Sequence, residues 1–256
     1  MTSKHLIRKS LGGTIALGAA LLCGLAAGAQ DATPSAATSP VPTTVDMDGT
    51  PVPDLTGYWE LHYDSENIPF ASLTPAAMKD DKDARRKADM NVLRWCNKTG
   101  VPFSMDGPAP IEVQQGRFET AIASQAVSPA RHIFTNGQKH PDLEAFDRVV
   151  NGHSIGHWEG DTFLVDTIGF STQGITTIPG GGYRTEDSHL TERYRLLDGG
   201  TKLLVTFTWT DPKVFKTPHT YQFEYFRAEP GYTAREFFCD PTDEQRVKLL
   251  TETPKP

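Results

Sequence analysis

The chain reads as a mainly β protein: an antiparallel up-and-down barrel of about ten strands, with one long helix after the first strand. Three observations carry this. Beyond Pro110, short apolar runs alternate with polar residues at a period of two. Turn-forming groups, Asn136-Gly137, Gly160-Asp161, Asp198-Gly199-Gly200 and Glu229-Pro230-Gly231, separate those runs. A meander of that length has two open edges, and closing it on itself removes them. A two-sheet sandwich is the alternative use of the same strands.

The elements follow in chain order. Lys4, Arg8 and Lys9 precede an apolar stretch from Leu11 to Leu25, and Ala27-Gly28-Ala29 supplies a small-residue cleavage pattern. Residues 1–29 therefore read as a signal peptide, and the mature protein is expected in the periplasm or secreted. Leu22 before Cys23 is too large for a lipoprotein cleavage site. Residues 30–53 are rich in Pro, Ser, Thr and Ala and carry too little apolar surface to offset ordering, so they read as a disordered linker. A single barrel domain is expected over 54–256.

Leu55, Gly57, Trp59, Leu61 and Tyr63 alternate with polar neighbours, which makes the first strand. Thr74 can cap and Pro75 suits a first helical turn, so a helix is expected from Thr74 to about Cys96. The remaining strands are expected near 111–116, 118–125, 130–135, 153–159, 162–168, 188–196, 202–210, 219–227 and 232–239. Residues 169–187, with three consecutive glycines, form a long loop of the kind that serves as a lid.

Charge narrows the partners. Without the signal, 22 basic residues face 32 acidic ones, a net charge of −10 that argues against nucleic acid. The densest basic group, Arg85-Arg86-Lys87, lies beside Lys79 to Asp83, the composition of a solvated mixed-charge face. No second long apolar run exists, so no stable membrane insertion is expected after signal removal. The oligomeric state is left open. Only Cys96 and Cys239 survive export, an even pair in an oxidising compartment, and they are expected to form a disulfide, with two buried thiols as the alternative.

Gly57-Tyr58-Trp59, the meander and the cystine together look like a lipocalin (calycin) barrel. A more specific run, Gly152 to Phe170 (GHSIGHWEGDTFLVDTIGF), with His189 to Arg195 (HLTERYR), is similar to a family of exported, mostly uncharacterised bacterial proteins that also open on a DLTG-W motif. The likeness spans most of residues 54–212. The chain departs from that family at His157, where the family has Arg, and at Gly182-Tyr183-Arg184, where it has a His-rich segment. The resemblance implies a fold and an export route, and no catalytic role.

Strand geometry limits which side chains can act together. His153 and His157 have a zinc-like spacing only on a helix; in a strand they stand about 13 Å apart. His157 and Glu159 share a face, but nothing in the sequence completes a metal set, so no metal is assigned. With Gly160-Asp161 as a two-residue turn, Glu159 opposes Thr162, His157 opposes Leu164 and Ile155 opposes Asp166. Trp158, Phe163 and Val165 then face inward and the charges face solvent. His62 reads as surface.

His219, Tyr221, Phe223 and Tyr225 share one face. A hairpin over Ala228 to Gly231 sets Tyr225 against Ala234, Phe223 against Glu236 and Tyr221 against Phe238. Glu236 would then sit on an aromatic wall, where burial raises a carboxyl's pKa and suits it to acid–base work; a structural hydrogen bond is the alternative. His153, His189, His219, Tyr221 and Glu236 are the catalytic candidates, and Trp59, Phe207, Trp209, Phe223 and Tyr225 the ligand-binding wall. No dinucleotide turn or phosphate loop occurs, and no cofactor is implied. The leading expectation is an enzyme of lyase, isomerase or hydrolase type acting on a small apolar or aromatic molecule inside the barrel. The rival is a lipocalin-like carrier of the same kind of molecule, for which the wall alone suffices.

Overall fold

The computed structural model describes residues 41–62, 68–80, 99–107, 109–125, 129–174 and 176–234, all within the unit Thr38–Pro256. The signal segment, Cys96, Glu236 and Cys239 lie outside the described residues.

Nine strands close into a barrel. They are β3 (Gly57–Leu61), β4 (Ile111–Gln115), β5 (Glu119–Ser124), β6 (Arg131–Phe134), β7 (His153–Glu159), β8 (Thr162–Ile168), β9 (His189–Leu197), β10 (Lys202–Thr210) and β11 (His219–Arg227). Each lies beside its neighbour in sequence, and β11 returns to β3 through Tyr225 opposite Leu61 and Arg227 opposite Trp59. The period of two decides which side chains enter. On β10, Leu203, Val205, Phe207 and Trp209 are wholly buried while Thr206 and Thr208 stay on the outside. The β7–β8 hairpin pairs as its two-residue turn predicts: Glu159 with Thr162, His157 with Leu164 and Ile155 with Asp166.

Four expectations need correction. The barrel is mixed, because β6 and β7 run parallel, with Ile133 opposite Ser154 and Phe134 opposite Ile155. Asn136-Gly137 does not close a hairpin; the chain crosses over through residues 135–152, as a parallel connection requires. The place beside β11 assigned to 232–239 is filled by β3, so Leu61 rather than Ala234 faces Tyr225. Residues 232–234 are not strand, and the rest of that run lies outside the described residues. Residues 43–53, read as linker, form a hairpin of β1 (Thr43–Val45) and β2 (Pro51–Pro53) that Arg117 ties to the barrel by donating to the Asp46 and Met47 carbonyls.

The helix expected from Thr74 is described over 75–80, where the Thr74 hydroxyl accepts the Ala77 N–H at 3.1 Å as a cap. Its continuation to Cys96 lies outside the described residues, and the other helix described is a single turn, Phe103–Asp106. No helix among the described residues is long and apolar enough to cross a membrane. The long loop 169–187 is built into the fold. Phe170, Ile178 and Arg184 in it are buried, and Arg184 donates to the Val101 and Val150 carbonyls at 2.5 and 2.8 Å. Burial pushes its pKa down to about 10.

Candidate functional site

The β-pairing registers set His153 of β7, Asp166 of β8 and His189 of β9 near one end of the barrel. All three lie on its outer face, since their chain neighbours Ser154, Thr167 and Leu190 are fully buried. The crossover brings a fourth group, His140, down onto them. His189 Nε2 lies 2.5 Å from Asp166 Oδ2, and His140 Nε2 lies 2.7 Å from Asp166 Oδ1. His140 Nδ1 meets His153 Nδ1 at 2.9 Å, and Gln138 Nε2 meets His153 Nε2 at 3.2 Å. Phe134 stacks on the His153 ring and Phe146 meets its edge. Gly169, at φ +74°, lets this stretch of the crossover come close: an added Cβ would stand 2.9 Å from Phe146.

Electrostatics separates the two barrel histidines. Hydrogen bonding to Asp166 raises the His189 pKa, outweighing partial burial. Burial, helped by the charge of His140 when protonated, lowers that of His153. Burial works against ionisation of Asp166, but the hydrogen bonds from His189 and His140 hold its carboxyl below the usual range. His189 keeps 41 % of its side chain exposed, whereas His140 keeps 16 %. An imidazole with one nitrogen on a carboxylate and an accessible edge is an oriented proton acceptor.

A second polar cluster is enclosed in the barrel. Arg131 grips Glu192 with both Nη atoms at 2.8 and 2.5 Å and also reaches Ser154 and Thr167, while the Tyr194 hydroxyl donates to Glu192 at 2.8 Å. Arg131 and Glu192 are 2 % and 1 % exposed, so the pair is buried and internally matched.

The remaining sequence candidates are elsewhere. His219 is on the inner face, its Nε2 at 2.7 Å from the Pro179 carbonyl oxygen and its ring against Phe215 and Tyr221; burial lowers its pKa. The Tyr221 hydroxyl accepts from Trp209 Nε1 and is raised by burial. Neither joins His153 and His189. Trp59, Phe207, Trp209, Phe223 and Tyr225 are at most 1 % exposed and belong to one core cluster. Their polar atoms are used there: Trp59 Nε1 donates to the Leu55 carbonyl and Tyr225 Oη to the Met105 carbonyl. The expected wall is therefore packing. Glu236 and the Cys96–Cys239 pair lie outside the described residues.

His157 lies 3.5 Å from Glu159 with 67 % of its side chain exposed. Among the described residues no group of three or more His, Cys, Asp or Glu is placed to hold a metal ion. The sequence reading missed His140, Asp166 as a partner, and the Arg131–Glu192 pair. For Arg131 and Glu192 a signal existed, because each occupies an inward position in an alternating strand; for His140 there was none, since its stretch has no period. No family model matches the chain, and no curated protein matches it.

Proposed function

We propose that the protein is an exported enzyme that performs acid–base chemistry on a small, largely apolar or aromatic molecule, with His189 and Asp166 as its proton-transfer pair. The observation that carries this is the 2.5 Å contact of His189 Nε2 with Asp166 Oδ2 on a histidine that keeps 41 % of its side chain exposed. With Nε2–H directed at Asp166, the Nδ1 lone pair of neutral His189 takes a proton from substrate or water. Asp166 stabilises the imidazolium, and the same nitrogen returns the proton to the product. Elimination, isomerisation and hydrolysis all fit such a step. His140 and His153 position Asp166 from the other side. The apolar character of the substrate is supported by Phe146 and the exposed Val149 on the adjoining crossover. Export is supported by the basic-then-apolar N-terminal run ending at Ala27-Gly28-Ala29.

The test is product formation by the purified mature protein across a panel of small aromatic and apolar esters, lactones and β-hydroxy carbonyl compounds. For any compound turned over, His189→Gln and Asp166→Asn each lower kcat by about 10²–10⁴-fold. Tight binding without turnover, with affinity unchanged in His189→Gln, would establish the carrier instead.

A further inference from the structure

The hydrogen bonds of the histidine cluster run in one direction. Gln138 Oε1 accepts from Asn136 Nδ2 at 3.2 Å, which turns the Gln138 amide nitrogen toward His153 Nε2. His153 Nε2 is then an acceptor, so the proton of neutral His153 sits on Nδ1 and is donated to His140 Nδ1. The proton of His140 is left on Nε2, where Asp166 Oδ1 receives it. Every proton has one place.

We propose that the His140–His153 contact is a latch that holds the crossover against the barrel beside Asp166 and His189 and opens when both imidazoles are protonated. One added proton is accommodated. Charged His140 can donate through both nitrogens, to Asp166 and to His153, while the amide of Gln138 turns over. A second proton puts two N–H groups head to head across 2.9 Å, with two like charges in contact. No other arrangement of protons relieves that, so the rings separate.

The segment that moves is bounded by its other contacts. Arg148 donates to the Glu186 carbonyl at 2.7 Å and pairs with its carboxylate, and Asn151 bonds Pro129 and the Val101 N–H, so residues 148–152 stay anchored. Residues 136–146 reach the barrel through Gln138 and His140 and through Phe146 and Leu143, which pack beside Gly169. The ionisable groups facing the latch are Asp166 from β8 and, through Asp166, His189 from β9; β6 offers Phe134 and, next to His153 in register on the same outer face, His132, which is paired with Glu119 of β5. On the crossover, Lys139, Asp142, Glu144 and Asp147 are exposed. Opening removes His140 from Asp166 and bares the face on which His189 lies. As regulation of proton transfer the latch rests on the function proposed above; as a conformational step it is measured without any substrate.

Hydrogen–deuterium exchange of the full mature protein, corrected for intrinsic rates, tests it at neutral pH and at about pH 4.5, two units below the ordinary histidine value. Peptides from 136–146 should lose protection at least about tenfold in acid while β10 peptides keep theirs, and His153→Phe, which keeps the ring but cannot charge, should abolish the step. An unchanged loop in the wild type, or a step that persists in His153→Phe, overturns the latch. If that variant does not fold, nitrogen-15 spectra of the wild type decide: Nδ1-protonated His153 with Nε2-protonated His140 at neutral pH supports it, and any other tautomer pair overturns it. A pH-gated loop with full turnover in His189→Gln would refute the proposed function and leave the latch standing.

Discussion

Glu192 shows how a single side chain can be at once unusual and recoverable. Leu190, Glu192, Tyr194 and Leu196 occupy the inward positions of β9, and the one carboxylate among them must be neutralised inside the barrel. The sequence holds both halves of the answer, since Arg131 and Ile133 alternate inward on β6 in the same way. It does not hold the pairing, because β6 and β9 are not neighbours and no local period relates them. Removing one partner leaves a buried charge. Arg131→Met is expected to cost about 3–5 kcal/mol in urea unfolding, and the double variant Arg131→Met with Glu192→Leu should recover part of that loss. His153 and His189 stood among the sequence candidates. The group that links them, His140, did not.

At the scale of elements, hairpins were readable and crossovers were not. Gly160-Asp161 fixes the β7–β8 register because a two-residue turn leaves one pairing that keeps Phe163 and Val165 inside. Asn136-Gly137 carries the same kind of turn chemistry, yet the residues after it lack the alternation of a returning strand, and the chain crosses to start β7 parallel to β6. Gly152 is the corner that makes this possible. It sits at φ +64°, and a Cβ there would stand 2.6 Å from the Ile168 carbonyl oxygen. Gly152→Ala is therefore expected to destabilise by about 1–3 kcal/mol, read as a lower thermal midpoint. It should also disturb the His153–Asp166 geometry one residue on. The aromatic stripes of β10 and β11 were correctly read as inward-facing. They fill the barrel because Phe207, Tyr221 and Phe223 pack ring against ring.

For the whole molecule, barrel closure and pH response are the properties to test. β3 seals the barrel against β11, with Trp59 wholly buried and the Arg227 guanidinium 4.2 Å above its ring. Trp59→Ala should cost about 3–5 kcal/mol in chemical unfolding. The histidines pull stability in opposite directions. Because the His189 pKa is raised, its contribution is complete below the ordinary value of 6.5 and is lost as pH rises through its folded value. Because that of His153 is lowered, its contribution is complete above 6.5 and is lost as pH falls through its folded value. Urea midpoints across pH should thus lose part of their acid-side decline in His153→Phe, the rest belonging to His219 and Asp166, and part of their alkaline-side decline in His189→Gln.

The central claim is that Asp166 makes His189 the proton-transfer group of this surface, and a nitrogen-15 NMR titration of the labelled protein tests it most directly. His189 is predicted to titrate above 6.5 and His153 below it, with His189 returning toward 6.5 in Asp166→Asn. Coincident titration of the two near 6.5, unmoved by Asp166→Asn, would contradict it.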